Sequence, residues 1–458
     1  MKSFLTTVLI AGALIAPHHI ALAADNVPKD ILVLSVDDCV RIALKSAPEL
    51  GEAQADIDLT TSKLDEAKSH RYPQLEVTAL IGPAPEARRD ELFTTGTSFF
   101  RFNKLTWFAS TNATIVQPIY TFGKISENMK AATHGIEVDR SRKDQRANEI
   151  AQKVREYYYG LLLARDMKEL IIEVQETLSK TREKATKLIE QGSESVEETD
   201  LYKLDAFSGE AAKYFEEAKK GESLALAALK TRLGLPITAP MDISGERLVM
   251  DETAVPEYET FVERARSNRP EFHQIQEGLK ARAALVEAAK ANYYPDLFIA
   301  GLVSWAYADD RDRINNPYIT DPFQHFYAGV ALGARWKLDF GITGARVAGE
   351  RAQYNRLLST KEFAAANIPL QIKKFYLELK EAENNVQTTK HAYTSAKKWG
   401  MAAVANFDFG IGPSQEMFEA LQSYVRLRAA YFQAIYNYHM AKANLDYATG
   451  QPPVSINK

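Results

Sequence analysis

The chain has 458 residues, a formal net charge of -4 at pH 7 and 46% hydrophobic residues. That balance, with no dense basic patch interleaved with aromatics, excludes a nucleic-acid partner. One cysteine, Cys39, excludes an intrachain disulfide, and the scattered histidines show no metal-ligand spacing in the mature chain. There is no phosphate-binding loop and no nucleophile elbow, so the reading is of no enzyme, no metal and no cofactor.

The first residues, Met1-Lys2 followed by an apolar run and Ala21-Leu22-Ala23, read as a secretory signal peptide over 1–23. An uncleaved anchor is the competing reading, but the run is too short to span a bilayer. An extended lead over 26–34 follows. Ser35 with Asp38 forms a near capping box for a helix to Ser46, in which Cys39 reads as a small buried hydrophobe among Val36, Val40 and Ala43. A second helix is expected over 49–70, stopped ahead of Pro73.

The period then changes from helix to strand. Leu75, Val77, Ala79 and Ile81 alternate with Gln74, Glu76, Thr78 and Leu80, predicting a strand over 74–82. A polar loop over 82–103, with Arg88, Arg89, Asp90 and Glu91, leads to a longer strand over 105–120.

Residues 119–235 hold no proline. Apolar residues at Ile150, Val154, Tyr157, Leu161, Ala164, Met167, Ile171, Val174, Leu178, Ala185 and Leu188 mark a helical seam averaging close to 3.5 residues. The two three-residue steps through Leu161, Ala164 and Met167 predict local overwinding. The helix expected over 124–191 is about 100 Å long at about 1.5 Å per residue. It turns at Gly192 and returns to about Leu233. A linker rich in proline and glycine covers 237–256.

The chain then repeats itself. Pro48 and Pro73 recur 222 residues on as Pro270 and Pro295; Phe122-Gly123 and Gly192 recur 218 on as Phe340-Gly341 and Gly410; Gly234 and Pro236 recur 216 on as Gly450 and Pro452. Markers in one order with slowly drifting offsets indicate two copies of one unit, here 24–236 and 257–452, with a tail over 453–458. The second copy predicts helices over 257–266 and from Pro270 to just before Pro295, a strand over 296–307 and a loop over 308–325 with Asp309, Asp310, Arg311 and Asp312. Its second strand, over 326–339, is the clearest. Phe326, Ala328, Val330, Leu332, Ala334, Trp336 and Leu338 share one face; Tyr327, Gly329, Ala331, Gly333 and Arg335 share the other. That pattern suits a membrane barrel, and a soluble sandwich would need more strands than two per repeat. A second long helix over 343–407 carries a seam from Ile368 to Ala396 and an interior Pro369, where a kink is expected. The turn Gly410-Ile411-Gly412-Pro413 leads to a last helix over 414–448.

This order of elements resembles TolC-type outer-membrane efflux proteins across essentially the whole mature chain. The resemblance is carried by the opening Leu34 to Leu44, the two Tyr-Pro-x-Leu strand starts at Tyr72 and Tyr294, the aromatic-Gly corners and the Leu-Gly-Leu-Pro end of repeat one. It implies a mainly α fold with membrane β: long antiparallel helical hairpins forming a periplasmic α-barrel, plus four strands per protomer of a twelve-stranded outer-membrane barrel. It implies a homotrimer in outer-membrane lipid, working with a periplasmic adaptor (a membrane fusion protein) and an inner-membrane RND, ABC or MFS-type transporter. Many members carry a lipidated cysteine; here Cys39 is far from the cleavage site, so no acyl anchor is expected. The physics agrees on closure: four strands expose two edges, which lipid forbids. The function expected is a passive exit duct for efflux or type I secretion. The alternative is a poreless periplasmic coiled-coil scaffold, which would need an N-terminal anchor and a small β-rich domain after the hairpin.

Two sites follow from the resemblance. Gly192, Ser193, Gly410, Gly412 and Pro413 are expected at a periplasmic tip that docks the adaptor, although the glycines also serve as helix C-caps. Glu416 and Glu419, six and nine residues after Gly410, stand where the family places aperture carboxylates. Thr199-Asp200 resembles the family's pair in the first tip, set two residues further from Gly192. The plain alternative is an acidic helix start favoured by the macrodipole.

Overall fold

The structure is a computed structural model describing residues 31–87, 105–192, 196–250, 254–313, 318 and 321–451. The expected signal peptide, the charged run from Arg88 to Glu91, Ser193 and Pro452 lie outside the described residues.

Repeat one contains helix α1 (Val36–Ser46), α2 (Pro48–Ser69), strands β2 (Gln74–Pro85) and β3 (Leu105–Tyr120), and the hairpin of α3 (Lys124–Glu190) with α4 (Glu198–Arg232). Repeat two contains α5 (Tyr258–Asn268), α6 (Pro270–Lys290), β5 (Asp296–Ala308), β6 (His325–Arg335), α7 (Ile342–Asp408) and α8 (Ser414–Ala448). The paired hairpin helices match in length: α3 and α7 have 67 residues each, and α4 and α8 have 35 each.

Local chemistry sets the boundaries twice over. Pro48 and Pro270 each open a helix at its first position, where a missing N–H costs nothing. Phe122 and Phe340 both take positive φ, 50° and 45°, ahead of Gly123 and Gly341, also positive. These two-residue corners turn a strand into a long helix, and the second residue needs glycine's freedom. At the far end Gly410 donates to the Phe407 carbonyl and Ile411 to that of Asn406, a complete Schellman cap. The Ser35 capping box is present, and Cys39 is fully buried.

The two halves join through the sheet and the helices. The strands form one antiparallel sheet in the order β2-β3-β5-β6, so β3 of repeat one pairs with β5 of repeat two. The extended lead becomes β1 (Leu32–Leu34), pairing in parallel with β4 (Met241–Ile243). The stretch 237–256 is therefore more than a linker: it supplies β4 and lays buried Leu248 against α3. One apolar core gathers Cys39, Val40, Val154, Leu161, Phe261, Ile372 and Tyr438 at mid-height. A second gathers Leu170, Val174, Leu204, Phe407, Met417 and Phe418 lower in the hairpins.

Two strand limits are corrected. The predicted strand over 74–82 continues to Pro85, because β2 is an edge strand and tolerates Pro83 and Pro85. The strand expected to reach Asp339 ends at Arg335, since its partner β5 begins at Asp296, opposite Arg335. Through the middle of α3 a buried line runs Tyr158, Leu162, Asp166, Leu170 in four-residue steps; Leu161 of the expected seam is buried too, while Tyr157, Ala164 and Met167 are only half-buried. Asp166 escaped the apolar pattern because it is buried for its carboxylate, which accepts the Leu248 N–H at 2.9 Å; burial raises its pKa. Pro413 is the N-cap of α8, which spans the expected 414–448. The helix α7 passes through Pro369 without interruption, and the Tyr258 hydroxyl donates to the Pro369 carbonyl at 3.1 Å.

Candidate functional site

The sheet has two chemically distinct faces, fixed by register. Directly opposed residues share a face, so pairings such as Ile299 with Leu332 and Val77 with Ala113 collect Leu75, Val77, Ile81, Ile299, Trp305, Val330 and Leu332 on one side. Val330 is 81% and Leu332 77% exposed, although nothing in a water-facing sheet would hold them so. The opposite face carries Glu76, Thr78, Ser110, Asn112, Thr114, Ser304 and Arg335.

On that polar face, Ser304 Oγ lies 2.6 Å from both Asn112 Oδ1 and His325 Nε2. Beyond it Arg311 reaches Asp321 at 2.8 Å and the Pro85 carbonyl at 2.7 Å, with its guanidinium over the Phe323 ring. The sequence places Arg311 only in the loop over 308–325. The signal it lacked was spatial, since Pro85 and Asp321 meet Arg311 only once β2 and β5 are in register.

At the other end, about 100 Å of helix away at about 1.5 Å per residue, lie the two hairpin turns. Gly192 and Gly410 take φ of 72° and 70° and end α3 and α7. A side chain on Gly412 would press on Asn406 at 2.8 Å. Pro413 is exposed, and Phe409 and Ile411 flank Gly410 with 80% and 76% of their surface in solvent. The return helices start side by side, with Ser414 Oγ donating to Asp200 Oδ1 at 2.6 Å.

Comparison with known proteins bears on this architecture. The sequence profile described as outer membrane efflux protein matches residues 39–201 and 261–451, one span in each repeat. The chain belongs to the outer membrane efflux protein family. Its fold is that of solved family-like channels at low identity. An outer membrane protein, VceC of Vibrio cholerae, aligns at 14% identity over 91% of this chain and 96% of its own, TM-score 0.72. A membrane protein of Pseudomonas aeruginosa aligns at 15% over 92% and 91%, TM-score 0.75. The MtrE outer membrane channel of Neisseria gonorrhoeae aligns at 14% over 92% and 90%, TM-score 0.72. No curated protein matches by sequence.

The residues expected at an aperture divide into two groups. Glu416 and Glu419 are both exposed on the first turns of α8, with Met417 and Phe418 buried behind them. Gln415 Nε2 donates to Glu419 Oε1 at 3.0 Å. Thr199 is exposed, its hydroxyl 3.1 Å from Glu197 Oε2. Asp200 is different: it is only 6% exposed and caps its own helix, accepting the Glu197 N–H at 3.2 Å and Lys203 Nζ at 3.1 Å besides Ser414. Burial alone would raise its pKa, but these hydrogen bonds outweigh it and hold the carboxyl below the usual aspartate range. Within the protomer Asp200 therefore ties the two tips together rather than facing open solvent.

Higher in the hairpins, a cluster absent from the sequence reading joins the repeats. The Tyr424 hydroxyl donates to Glu173 Oε1 at 2.8 Å, and buried Arg428 donates to both Glu173 and that hydroxyl. The Arg428 guanidinium also lies against the rings of Tyr393, Tyr424 and Phe432. Burial and the neighbouring Glu173 push the Tyr424 hydroxyl up to about 12. Among the described residues no cluster of His, Cys, Asp or Glu could hold a metal ion, and no helix is long and apolar enough to cross a membrane.

Proposed function

We propose that the protein is the outer-membrane exit duct of a tripartite efflux or type I secretion system, a homotrimer conducting substrates passively from the periplasm or an inner-membrane pump to the exterior. The observation that carries this reading is the four-stranded sheet. One face is exposed and apolar, the other is polar, both edges are bare among the described residues, and it passes through two corners into 67-residue helices. In lipid such a sheet is stable only when closed. Three copies supply twelve strands, and the helices continue the wall as a tube across the periplasm.

In this reading Gly192, Ser193, Gly410, Gly412 and Pro413 mark the tip that meets a periplasmic adaptor, itself coupled to an RND, ABC or MFS-type transporter. Exposed Phe409 and Ile411 support docking there, being large apolar side chains with no core to enter. Glu416 and Glu419 line the aperture as a ring of six carboxylates under threefold symmetry, attracting cations and repelling anions. Asp200 and Thr199 support that ring from the first tip.

The test is fractionation with cross-linking. The protein should stay in the outer-membrane fraction after high-salt washing, and a cysteine at Ile411 should cross-link to the adaptor. Release by salt would point to the poreless scaffold instead. Cross-links from Asp309, at the opposite end of the strands, with none from the tip would overturn the docking assignment.

A further inference from the structure

The duplication lets contacts inside one chain be carried to contacts between chains. The structure itself fixes the equivalence. Gln117 Nε2 donates to the Arg71 carbonyl at 2.8 Å, and Trp336 Nε1 donates to the Tyr293 carbonyl at 3.1 Å. Position 71 corresponds to 293 at the offset of 222 already seen in the prolines, and 117 corresponds to 336 at an offset of 219. The irregularity in β3 between Pro118 and Tyr120 absorbs one residue. It brings the offset down to the 218 seen at Phe122-Gly123 and Phe340-Gly341. The same contact, made by different side chains, therefore recurs at equivalent places.

Within the chain β3 pairs with β5. Their equivalents in the other repeats are β6 and β2, which are the two edges of the sheet. Carrying the β3–β5 register across gives a definite pairing. Gly301 opposite Ile115 becomes Ala79 opposite Ala334, and Val303 opposite Ala113 becomes Ile81 opposite Leu332. Phe298 opposite Pro118 becomes Glu76 opposite Lys337. Opposite charges therefore meet at Glu76 and Lys337, both exposed in the protomer. A slip of two residues one way would set Glu76 against Asp339. A slip the other way would set it against Arg335, whose guanidinium already lies over the Phe298 ring.

The corner residues point the same way. Phe122 stacks on Tyr294, 5.0 Å between centroids and 13° between planes. The equivalents are Phe340, fully exposed in the protomer, and Tyr72, 67% exposed. The corner backbones match, with φ of 50° at Phe122 and 45° at Phe340. One contact does not carry over: the Lys124–Asp296 ion pair at 2.7 Å corresponds to Ile342 and Gln74. The charge pair at the seam sits instead at Glu76 and Lys337.

We propose that copies of this chain join edge to edge by antiparallel pairing of β6 with β2 of the next copy, Ala334 opposite Ala79 and Lys337 opposite Glu76, with Phe340 stacked on Tyr72 of that copy. This rests on the closed-barrel reading above. The pairing gives β6 partners beyond Arg335, so the strand extends toward Leu338 in the assembly.

Full-length protein in outer membranes tests it. Ala79→Cys with Ala334→Cys on one face, and Glu76→Cys with Lys337→Cys on the other, should give oxidised dimers and trimers on non-reducing gels; each single substitution should give none. The offset pairs Ala79→Cys with Leu332→Cys and Ala79→Cys with Trp336→Cys should cross-link at least about tenfold less. Preferential cross-linking of an offset pair, or none from either matched pair in a protein that native mass shows to be trimeric, would overturn the register and leave the duct reading standing. A wild-type protein that is monomeric in the membrane would overturn the duct reading itself. Independently of any cysteine, Phe340→Ala and Tyr72→Ala should each lower the temperature at which trimers dissociate, and the double variant should dissociate no earlier than the weaker single. Additive losses would overturn the stack.

Discussion

Ser414 Oγ donates to Asp200 Oδ1 at 2.6 Å, so the first turns of the two return helices, α4 and α8, are joined by one buried hydrogen bond. Ser414→Ala leaves a buried carboxylate short of a donor, at a cost of about 1–3 kcal/mol. Channels reconstituted with this variant should conduct more than wild type, and the tip should be cut earlier by protease. The pH dependence has a definite sign. Hydrogen bonds hold the Asp200 carboxyl below the usual aspartate range, so its contribution to stability is complete above that range and is lost as the pH falls through the lower folded value. Protease resistance of the tip should therefore hold from neutral pH down to the usual aspartate range and fall only below it. The Asp200→Asn variant should show no such acid step. A step near neutral pH would assign it to another group.

The exposed apolar face of β6 gives a depth-sensitive prediction. Val330→Arg or Leu332→Arg should cost about 2–4 kcal/mol if the site lies near the bilayer midplane. The outcome expected is loss of heat-resistant oligomers and of membrane insertion. Ala331→Arg, on the opposite face, should insert normally. Equal tolerance of Val330→Arg and Ala331→Arg would mean that the face does not meet lipid.

The aperture assignment is read by ion selectivity. Channels carrying Glu416→Gln with Glu419→Gln should lose cation preference and block by trivalent cations from the periplasmic side, while folding normally, since both side chains are exposed. Unchanged selectivity, block and conductance would leave the two glutamates as a solvated helix start.

Arg428 is the hub of the cross-repeat cluster. Arg428→Met keeps much of the packing volume but removes the Arg428 donor from Glu173 and from the Tyr424 hydroxyl, leaving Glu173 only the Tyr424 hydroxyl. Because Glu173 keeps access to water, the expected loss is about 1–3 kcal/mol, seen as a lower unfolding midpoint. Glu173→Gln with Arg428→Met should be less damaging than the sum of the single changes. A fully additive double variant would show that the two side chains are not coupled.

Cys39 makes a simple probe of folding. Burial pushes its thiol up to about 12, and it has no exposed surface. It should resist thiol reagents at pH 8 and label only when the mid-height core opens. Fast labelling of folded protein would contradict the packing of α1 on α3.

Much of this architecture was legible in the chain. Two prolines, two aromatic-Gly corners and paired glycines recurring in one order revealed the duplication, because turns and caps demand particular residues wherever they occur. The length of the hairpin helices and the two-residue period of β6 were read the same way, from chemistry local in sequence. What escaped was polar and buried. Asp166 and Arg428 carry no apolar signal, Asp200 was expected only at an aperture, and charge on a helix shows no buried partner in sequence. Their partners Leu248, Ser414 and Glu173 lie far along the chain, so only the fold decides that these groups are paired.

The strand limits show the same division. The sequence by itself determined that the residues of β6 are extended and which of them share a face, since alternation is a property of successive side chains. Where the strand stops was decided by tertiary structure: β6 ends at Arg335 because β5 offers nothing opposite beyond Asp296. The pattern likewise made one face of the sheet apolar, but only the order β2-β3-β5-β6 decided that β2 and β6 are the edges. Edge and interior strands differ in their neighbours, and neighbours are set by pairing across the fold rather than by any residue's own preference.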